Sequence, residues 1–139
     1  MPPARILIVE DERQIVDTLR DLFEQHGYEA EVALNKQVAL TILQERKMDL
    51  LIISTKFQEN QGIEILQEVK KQSQYLPAIV IGDQKSKRTE SYAIKAGASV
   101  FIIKPLEERI VLQTVERLLD SRFKIAAPKK TKAYPKSKK

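Results

Sequence analysis

Two adjacent carboxylates, one hydroxyl and one amine each come directly after an apolar run of this sequence. Glu10 and Asp11 follow ILIV, Ser54 follows LLII, and Lys104 follows VFII. A carboxylate pair offers the oxygen ligands that Mg²⁺ and other hard cations prefer, and a lysine amine can neutralise carboxylate or phosphoryl oxygens. A serine hydroxyl is a poor nucleophile unless a positioned base activates it. These residue types point to metal binding or ion pairing, if the fold brings them together.

Five segments have the composition of β-strands, and they must position these side chains. The segments span residues 5–9, 28–34, 49–53, 78–82 and 99–103. All but the second contain a continuous apolar run, which is typical of strands that are covered on both faces. The sequence therefore predicts a sheet that is buried between other elements.

Amphipathic patterns follow each strand and predict five helices. Their apolar positions, in chain order, are Ile15, Leu19, Leu22 and Phe23; Val38, Leu40, Ile42 and Leu43; Ile63, Leu66 and Val69; Tyr92, Ala93 and Ala96; and Ile110, Val111, Thr114, Val115, Leu118 and Leu119. Gly27 and Gly97 suit the residue that follows the first and fourth helices, because glycine tolerates a left-handed backbone. Strands alternating with helices predict an α/β fold with a parallel sheet and right-handed crossovers.

In such a sheet, function gathers at the edge where the carboxyl ends of the strands meet. The residues that the strands bring to this edge are Glu10, Asp11, Ser54, Gly82, Asp83, Lys104 and Pro105. We therefore expect a single site that combines the carboxylates, the serine and the lysine.

Three motifs, taken together, resemble the receiver domain of two-component response regulators. They are ILIVEDE near the start, Gly62 eight residues beyond Ser54, and AGASVFIIKP at 96–105. The resemblance covers roughly residues 4–121. It implies a flavodoxin-like (βα)5 fold, a doubly wound parallel sheet with strand order 2-1-3-4-5.

The resemblance also assigns roles to residues at the predicted site, and two key positions depart from the family pattern. In the family, an aspartate at the end of the third strand accepts a phosphoryl group from a histidine kinase, and the matching residue here is Ser54. A threonine or serine at the end of the fourth strand hydrogen-bonds that group, and here it is Gly82. The family's lysine and following proline are present as Lys104 and Pro105, and an aromatic that changes rotamer on activation matches Phe101.

The resemblance implies that Glu10 and Asp11 are the candidate metal ligands. With Lys104 these carboxylates sum to a charge of −1, and the ammonium of Lys56 could lean toward them and neutralise the rest. We therefore expect a weak or empty Mg²⁺ site and no other cofactor. Asp83 leaves an alternative open, since it could restore a third carboxylate from a different strand.

The main hypothesis is an atypical receiver, a pseudo-receiver that transmits signals through protein–protein interaction without aspartyl phosphorylation and is not an enzyme. One alternative is a phosphoacceptor that uses Ser54 or another carboxylate together with Mg²⁺. Phosphotransfer on His26 is a further reading, although a histidine in the last turn of a helix more commonly interacts with the helix dipole.

The charge of the chain is unevenly distributed. Of its 24 Lys and Arg residues, 8 lie in 122–139, which holds none of the 19 acidic residues. We predict a receiver-like domain over 1–121 and a mostly disordered basic tail over 122–139, because the tail has too little apolar surface to offset the entropy of ordering. The tail suggests a third hypothesis, a regulator that contacts nucleic acid non-specifically; an acidic protein is the other candidate partner.

The partner surface implied by the resemblance is the face formed by helix 4, strand 5 and helix 5, which the family uses for dimerisation and docking. Its charged residues here are Lys87, Arg88, Lys95, Glu107, Glu108 and Arg117. The chain has no cysteine, one histidine, no membrane-length apolar run and no secretory signal pattern at its start. We therefore expect a cytoplasmic protein without disulfides and without a membrane segment.

Overall fold

The computed structural model describes residues 2–83 and 87–120. The basic tail lies outside the described residues, so the boundary after residue 121 and the disorder of the tail remain predictions. Across the described ranges, no helix combines the length and the apolar composition that crossing a membrane requires.

Five parallel strands form one sheet. The strands are β1 (Arg5–Val9), β2 (Glu29–Ala33), β3 (Leu50–Ser54), β4 (Ala78–Gly82) and β5 (Val100–Ile103). Their order in the sheet is β2-β1-β3-β4-β5, which confirms the predicted doubly wound topology. Every residue of β3 and β4 is buried, whereas the edge strands β2 and β5 are only partly covered. Burial of β3 and β4 agrees with their continuous apolar runs, whereas β5 has such a run and is nevertheless a partly covered edge strand.

Five helices cover the two faces of the sheet. They are α1 (Arg13–Gln25), α2 (Lys36–Glu45), α3 (Gly62–Gln72), α4 (Lys87–Ala96) and α5 (Glu108–Leu119). One apolar cluster joins α2, α3 and α4 to the first face, and a second joins α1 and α5 to the other. The layered arrangement follows from alternation along the strands, since successive side chains point to opposite faces.

Helix α2 buries Ala39, which its predicted apolar pattern did not include, whereas α5 buries Val111 and Val115, which its pattern named. In α2, Val38 is 39% exposed while Ala39 is fully buried, and in α5, Ile110 is 37% exposed while Val111 is buried. A small residue such as Ala39 lets a helix approach the sheet closely, and its larger neighbour then lies at the rim of the contact. Periodicity predicted both helices, and it named the buried residues of α5 but not the buried Ala39 of α2.

Glycines end two helices, and a third allows a helix to begin against β3. Gly27 and Gly97 follow α1 and α4 with φ of +85° and +117°, as predicted. At Gly62, the first residue of α3, an added Cβ would lie 1.9 Å from the carbonyl oxygen of Ser54. Only glycine permits this approach, so Gly62 fixes where α3 begins relative to the candidate site.

Candidate functional site

The carboxyl edge of the sheet brings the predicted site residues to one place. Glu10 and Asp11 follow β1, Ser54 ends β3, Gly82 ends β4, and Lys104 follows β5. Strands β1, β3, β4 and β5 are neighbours in that order, so these residues form a continuous row across the sheet. The row is the crevice in which open α/β sheets place their functional groups.

Glu10 is a buried carboxylate that is only half satisfied. Its side chain is 2% exposed, and its Oε2 accepts a 2.9 Å hydrogen bond from the Glu12 N–H. Its Oε1 has no hydrogen-bond partner in the described part of the chain. Burial raises the pKa of Glu10, and the Glu12 N–H and the positive charge of Lys104 oppose that rise.

Asp11 is exposed and faces the loop after β3. Its Oδ2 accepts a hydrogen bond of 3.1 Å from the N–H of Gln58, and the Gln58 Oε1 accepts one of 3.0 Å from the Lys36 N–H at the start of α2. Gln58, Glu59 and Asn60 form a left-handed turn with φ of +48°, +59° and +70°. A carboxylate of the candidate pair therefore helps to hold a backbone conformation that non-glycine residues rarely adopt.

Lys104 pairs with an acidic residue that the sequence analysis did not single out. Its Nζ lies 3.3 Å from Glu12 Oε1, and the lysine side chain is 20% exposed. Lys104 is followed by Pro105 across a cis peptide bond. The run EDE contains Glu12, but only the fold shows that the third acid of the run contacts the lysine.

Lys56 forms an ion pair across two strand ends. Its Nζ lies 2.7 Å from Asp83 Oδ2. This hydrogen bond, reinforced by the opposite charges, raises the pKa of Lys56 and lowers the pKa of Asp83. Both side chains are about half exposed, so the ion pair adds little to the stability of the fold. The pair nevertheless gives the Asp83 carboxylate a cationic partner from within the chain. The ammonium of Lys56 thus contacts Asp83 and not the Glu10–Asp11 pair.

Ser54 is buried at the end of β3. It is 1% exposed, and its Oγ accepts a 3.2 Å hydrogen bond from the Lys56 N–H, two residues ahead. Within the described ranges, no carboxylate or imidazole hydrogen-bonds to this hydroxyl. The serine therefore makes a local turn contact and lacks a positioned base.

The Phe101 ring lies directly against Gly82 at the ends of β4 and β5. A Cβ added to Gly82 would lie 2.5 Å from Cζ and 3.1 Å from Cε1 of the Phe101 ring. The ring is half-buried and packs on the apolar cluster beneath α2, α3 and α4. The ring thus occupies the position that a side chain at residue 82 would take.

The oxygen atoms at the site do not form the ligand set that a tight Mg²⁺ site requires. Glu10 Oε1 is a free carboxylate oxygen and Asp11 offers a second carboxylate, but Ser54 supplies none and Asp83 is paired with Lys56. Across residues 2–83 and 87–120, no group of three or more Asp, Glu, His or Cys residues is arranged to hold a metal ion together. Mg²⁺ is bound through carboxylates in near-ideal octahedral geometry, so two carboxylates beside two lysines do not fit it well.

His26 ends α1 and lies outside the candidate site. Its Nδ1 is 2.9 Å from the Leu22 carbonyl oxygen, one turn earlier in the same helix. The imidazole thus contacts the carbonyl end of the helix, which is the structural role that the sequence analysis set against phosphotransfer.

Replacing Glu10 with glutamine tests the cost of the buried carboxylate. A carboxyl whose pKa is higher in the folded chain than in the unfolded chain favours folding at acid pH and opposes it once pH exceeds the folded pKa. We expect Glu10→Gln to raise the free energy of unfolding by about 1 kcal/mol near pH 7, because the amide removes the cost of burying a carboxylate whose Oε1 has no hydrogen-bond partner. The gain should shrink as pH falls from the raised pKa of Glu10 toward the ordinary range of glutamate, because the native carboxyl becomes neutral over that interval, and it should level off below that range.

Urea unfolding of both proteins between pH 4 and 7.5 measures this difference, and Glu24→Gln, on the exposed surface of α1, serves as the control. A Glu10→Gln gain that stays constant or grows toward acid pH would contradict the assignment.

The chain matches a known protein family and several curated proteins over most of its length. The family model described as response regulator receiver domain matches residues 6–116. The alginate biosynthesis transcriptional regulatory protein AlgB of Pseudomonas putida is 30% identical over 116 residues, which are 83% of this chain and 26% of that protein. The response regulator SaeR of Staphylococcus aureus is 28% identical over 84% of this chain and 50% of its own length. The chain thus spans a quarter to a half of these curated relatives.

Solved structures agree with the topology. A CheY-like receiver domain protein from Methanospirillum hungatei has a TM-score of 0.81 at 28% identity, covering 88% of this chain and 98% of that one. The receiver domain of NtrX from Brucella abortus has a TM-score of 0.78 at 30% identity, covering 84% of this chain and 98% of that one. Both likenesses extend over nearly the whole of a solved single domain.

Proposed function

The chain belongs to the response regulator receiver domain family, and we propose that within this family it is a pseudo-receiver, which signals by protein interaction without aspartyl phosphorylation. Receiver domains act in signal transduction and are typically signalling modules rather than enzymes. The observation that carries the proposal is Ser54, a buried serine at the end of β3 where the family places its acceptor aspartate.

The surroundings of Ser54 support the loss of acceptor chemistry. A hydroxyl is not ionised near neutral pH and needs a general base within hydrogen-bond reach to attack phosphorus. The Ser54 Oγ contacts the Lys56 N–H, and its side chain is almost wholly shielded from solvent. A phosphodonor would have to reach a buried hydroxyl that is not activated.

The charge balance of the site supports the same proposal. Lys104 contacts Glu12, and Lys56 contacts Asp83, so two ammonium groups of the chain lie among the carboxylates. A divalent cation binds an acidic cluster less favourably where protein amines already neutralise part of the charge of that cluster. In this reading, the lysines take over the electrostatic role that Mg²⁺ has in phosphorylatable relatives.

Intact-mass analysis after incubation with acetyl phosphate and Mg²⁺ tests the proposal. We expect the native chain to keep its unmodified mass, because its acceptor position offers no carboxylate. Ser54→Asp is the matched comparison, since it restores the acceptor while leaving Glu10, Asp11 and Lys104 in place.

A phosphoryl adduct on the native chain would refute the pseudo-receiver. Mapping the adduct would then separate the alternatives, which are Ser54 itself, Asp83, and the pair of Glu10 and Asp11. Adducts that survive mild base indicate the serine, because acyl phosphates on carboxylates hydrolyse there.

The docking surface that we propose is the face of α4, β5 and α5. Apolar side chains are exposed in each of its elements: Tyr92 is 50% exposed, Ile103 is 46% exposed and Ile110 is 37% exposed. Partly exposed aromatic and aliphatic side chains ringed by charges are typical anchors of protein interfaces. This composition fits a protein partner or a second copy of the chain.

Helix α4 adds positive charge to this face. Lys87, Arg88 and Lys95 have no ion-pair partner within the described ranges, although six other basic residues there do. A groove of about 410 Å³ runs along the helix, and it is lined by Arg88, Thr89, Ser91, Tyr92 and Lys95. Unpaired cations on both sides of an exposed tyrosine favour a partner with acidic residues around an apolar anchor.

The basic tail supports a second candidate function, non-specific contact with nucleic acid. It carries eight cations and no acid, and AlgB, a relative over 116 residues, is named as a transcriptional regulatory protein. Deleting residues 124–139 should abolish retention on a DNA column at low salt, because phosphate neutralisation by such a tail is the dominant attraction. Retention of the truncated chain would show that the tail is not responsible.

A further inference from the structure

We propose that helix α2 is a self-association surface, on which a second copy of the chain packs with its own α2 antiparallel to the first. The proposal does not depend on whether the chain is phosphorylated. It leaves the α4–β5–α5 face free for a different partner, so its failure would not affect the pseudo-receiver.

Helix α2 combines exposure to solvent with a lack of charge. Its only charged residues are Lys36 and Glu45 at its two ends, and the eight residues between them, QVALTILQ, carry none. No other described helix has so long an uncharged run. Within α2 only Ala39 is buried, so solvent reaches most of this run. Surface helices ordinarily carry charged residues on their outer face, whereas the cores of protein interfaces are depleted of charge.

One side of α2 is turned away from α3. Lys36 Nζ lies 2.9 Å from Glu68 Oε1, so the side of α2 that carries Lys36 faces α3. With 3.6 residues per turn, Val38 lies on the opposite side of the helix. Val38, Thr41 and Glu45 follow one another at spacings of three and four residues, so they form a stripe on that side. Val38 and Glu45 are exposed and Thr41 is partly exposed.

Leu34 adds apolar surface at the N-terminal end of α2. It directly precedes Asn35, whose side chain caps the helix. Its side chain is 64% exposed, and no other large aliphatic side chain in the described ranges is more exposed. An exposed leucine beside an uncharged helix face is a surface that association can bury favourably.

The two ends of α2 favour an antiparallel copy as the occupant of this surface. Glu45 lies at the C-terminal end, where the helix dipole disfavours a carboxylate, and it has no ion-pair partner in the described part of the chain. At the N-terminal end, side chains accept hydrogen bonds from the N–H groups of Lys36 and Val38, but the Gln37 N–H has no acceptor within residues 2–83 and 87–120. An antiparallel copy brings its own Glu45 to this positive end. A parallel copy would instead place the two carboxylates side by side.

The stripe is self-complementary about a two-fold axis, as an isologous contact requires. In an antiparallel pair centred between residues 41 and 42, Val38 meets the aliphatic part of the second copy's Glu45, and the two Thr41 side chains lie close together. One helix pair buries less than the roughly 1,200 Å² that is typical of stable complexes. We therefore expect a weak dimer, with a dissociation constant on the order of 100 µM.

Sedimentation equilibrium tests the proposal. We expect the native chain to dimerise, and Val38→Lys to weaken dimerisation at least about tenfold, because an ammonium group would be buried without a partner. Glu45→Lys should weaken it as well, without lowering the free energy of unfolding, because a lysine suits the C-terminal end of a helix. Loss of the interface is thereby distinguished from loss of the fold.

Tyr92→Lys, on the α4–β5–α5 face, is the matched control and should leave the dissociation constant unchanged. A native chain that stays monomeric at about 1 mM would overturn the proposal. A dimer that Tyr92→Lys disrupts and Val38→Lys does not would overturn it too, since the second copy would then occupy the other face.

Disulfide cross-linking tests the antiparallel register. The chain has no cysteine, so one introduced thiol reports on one position. Under copper–phenanthroline oxidation, we expect Thr41→Cys to form a covalent dimer at least about tenfold faster than Gln113→Cys, on the exposed side of α5, because the dimer holds the two thiols at a high effective concentration. Equal cross-linking rates for the two variants would contradict the register and the proposal with it.

Discussion

The electrostatic balance at the carboxyl edge of the sheet is the constraint on which the rest of the site depends. Glu10 is carried into the interior by β1, with one oxygen satisfied by the Glu12 N–H and the other unpaired. Burying a carboxylate is costly unless charge or hydrogen bonds compensate. Burial raises the pKa of Glu10, and Lys104, which contacts Glu12, lies close enough to oppose part of that rise. The second ammonium, from Lys56, neutralises Asp83 on the neighbouring strand end.

Steric constraints add to this balance. Gly62 brings α3 against the carbonyl of Ser54, so the end of β3 is confined and the small serine is buried there. On the neighbouring strand, Gly82 leaves room for the Phe101 ring. Ser54 and Gly82, which we propose occupy the acceptor and sensor positions of the family, are both small residues in surroundings closed by local contacts. The site of this receiver fold contains two ion pairs, Lys56 with Asp83 and Lys104 with Glu12.

The sequence predicted the strands well because continuous apolar runs coincide with β1, β3, β4 and β5, although the run in β5 gave no sign that this strand lies at a partly covered edge of the sheet. It predicted the residues at the carboxyl edge but not their partners, because Lys56 and Asp83 lie on loops from different strands. The left-handed turn at residues 58–60 was not predictable from residue types, since non-glycine residues rarely adopt it and contacts with Asp11 and Lys36 stabilise it. The contact of Phe101 with Gly82 likewise depends on strand register.

The central claim is that the acidic edge lacks the third carboxylate that Mg²⁺ binding requires, since Ser54 supplies none and Asp83 is paired with Lys56. A Mg²⁺ titration followed by the backbone amide resonances of Glu10, Asp11 and Ser54 tests it most directly, with Ser54→Asp titrated in parallel. The account predicts no saturable shift in the native chain at millimolar Mg²⁺ and the appearance of saturable binding in Ser54→Asp, which gains a third carboxylate. Saturable Mg²⁺ binding by the native chain at these amides would contradict the account.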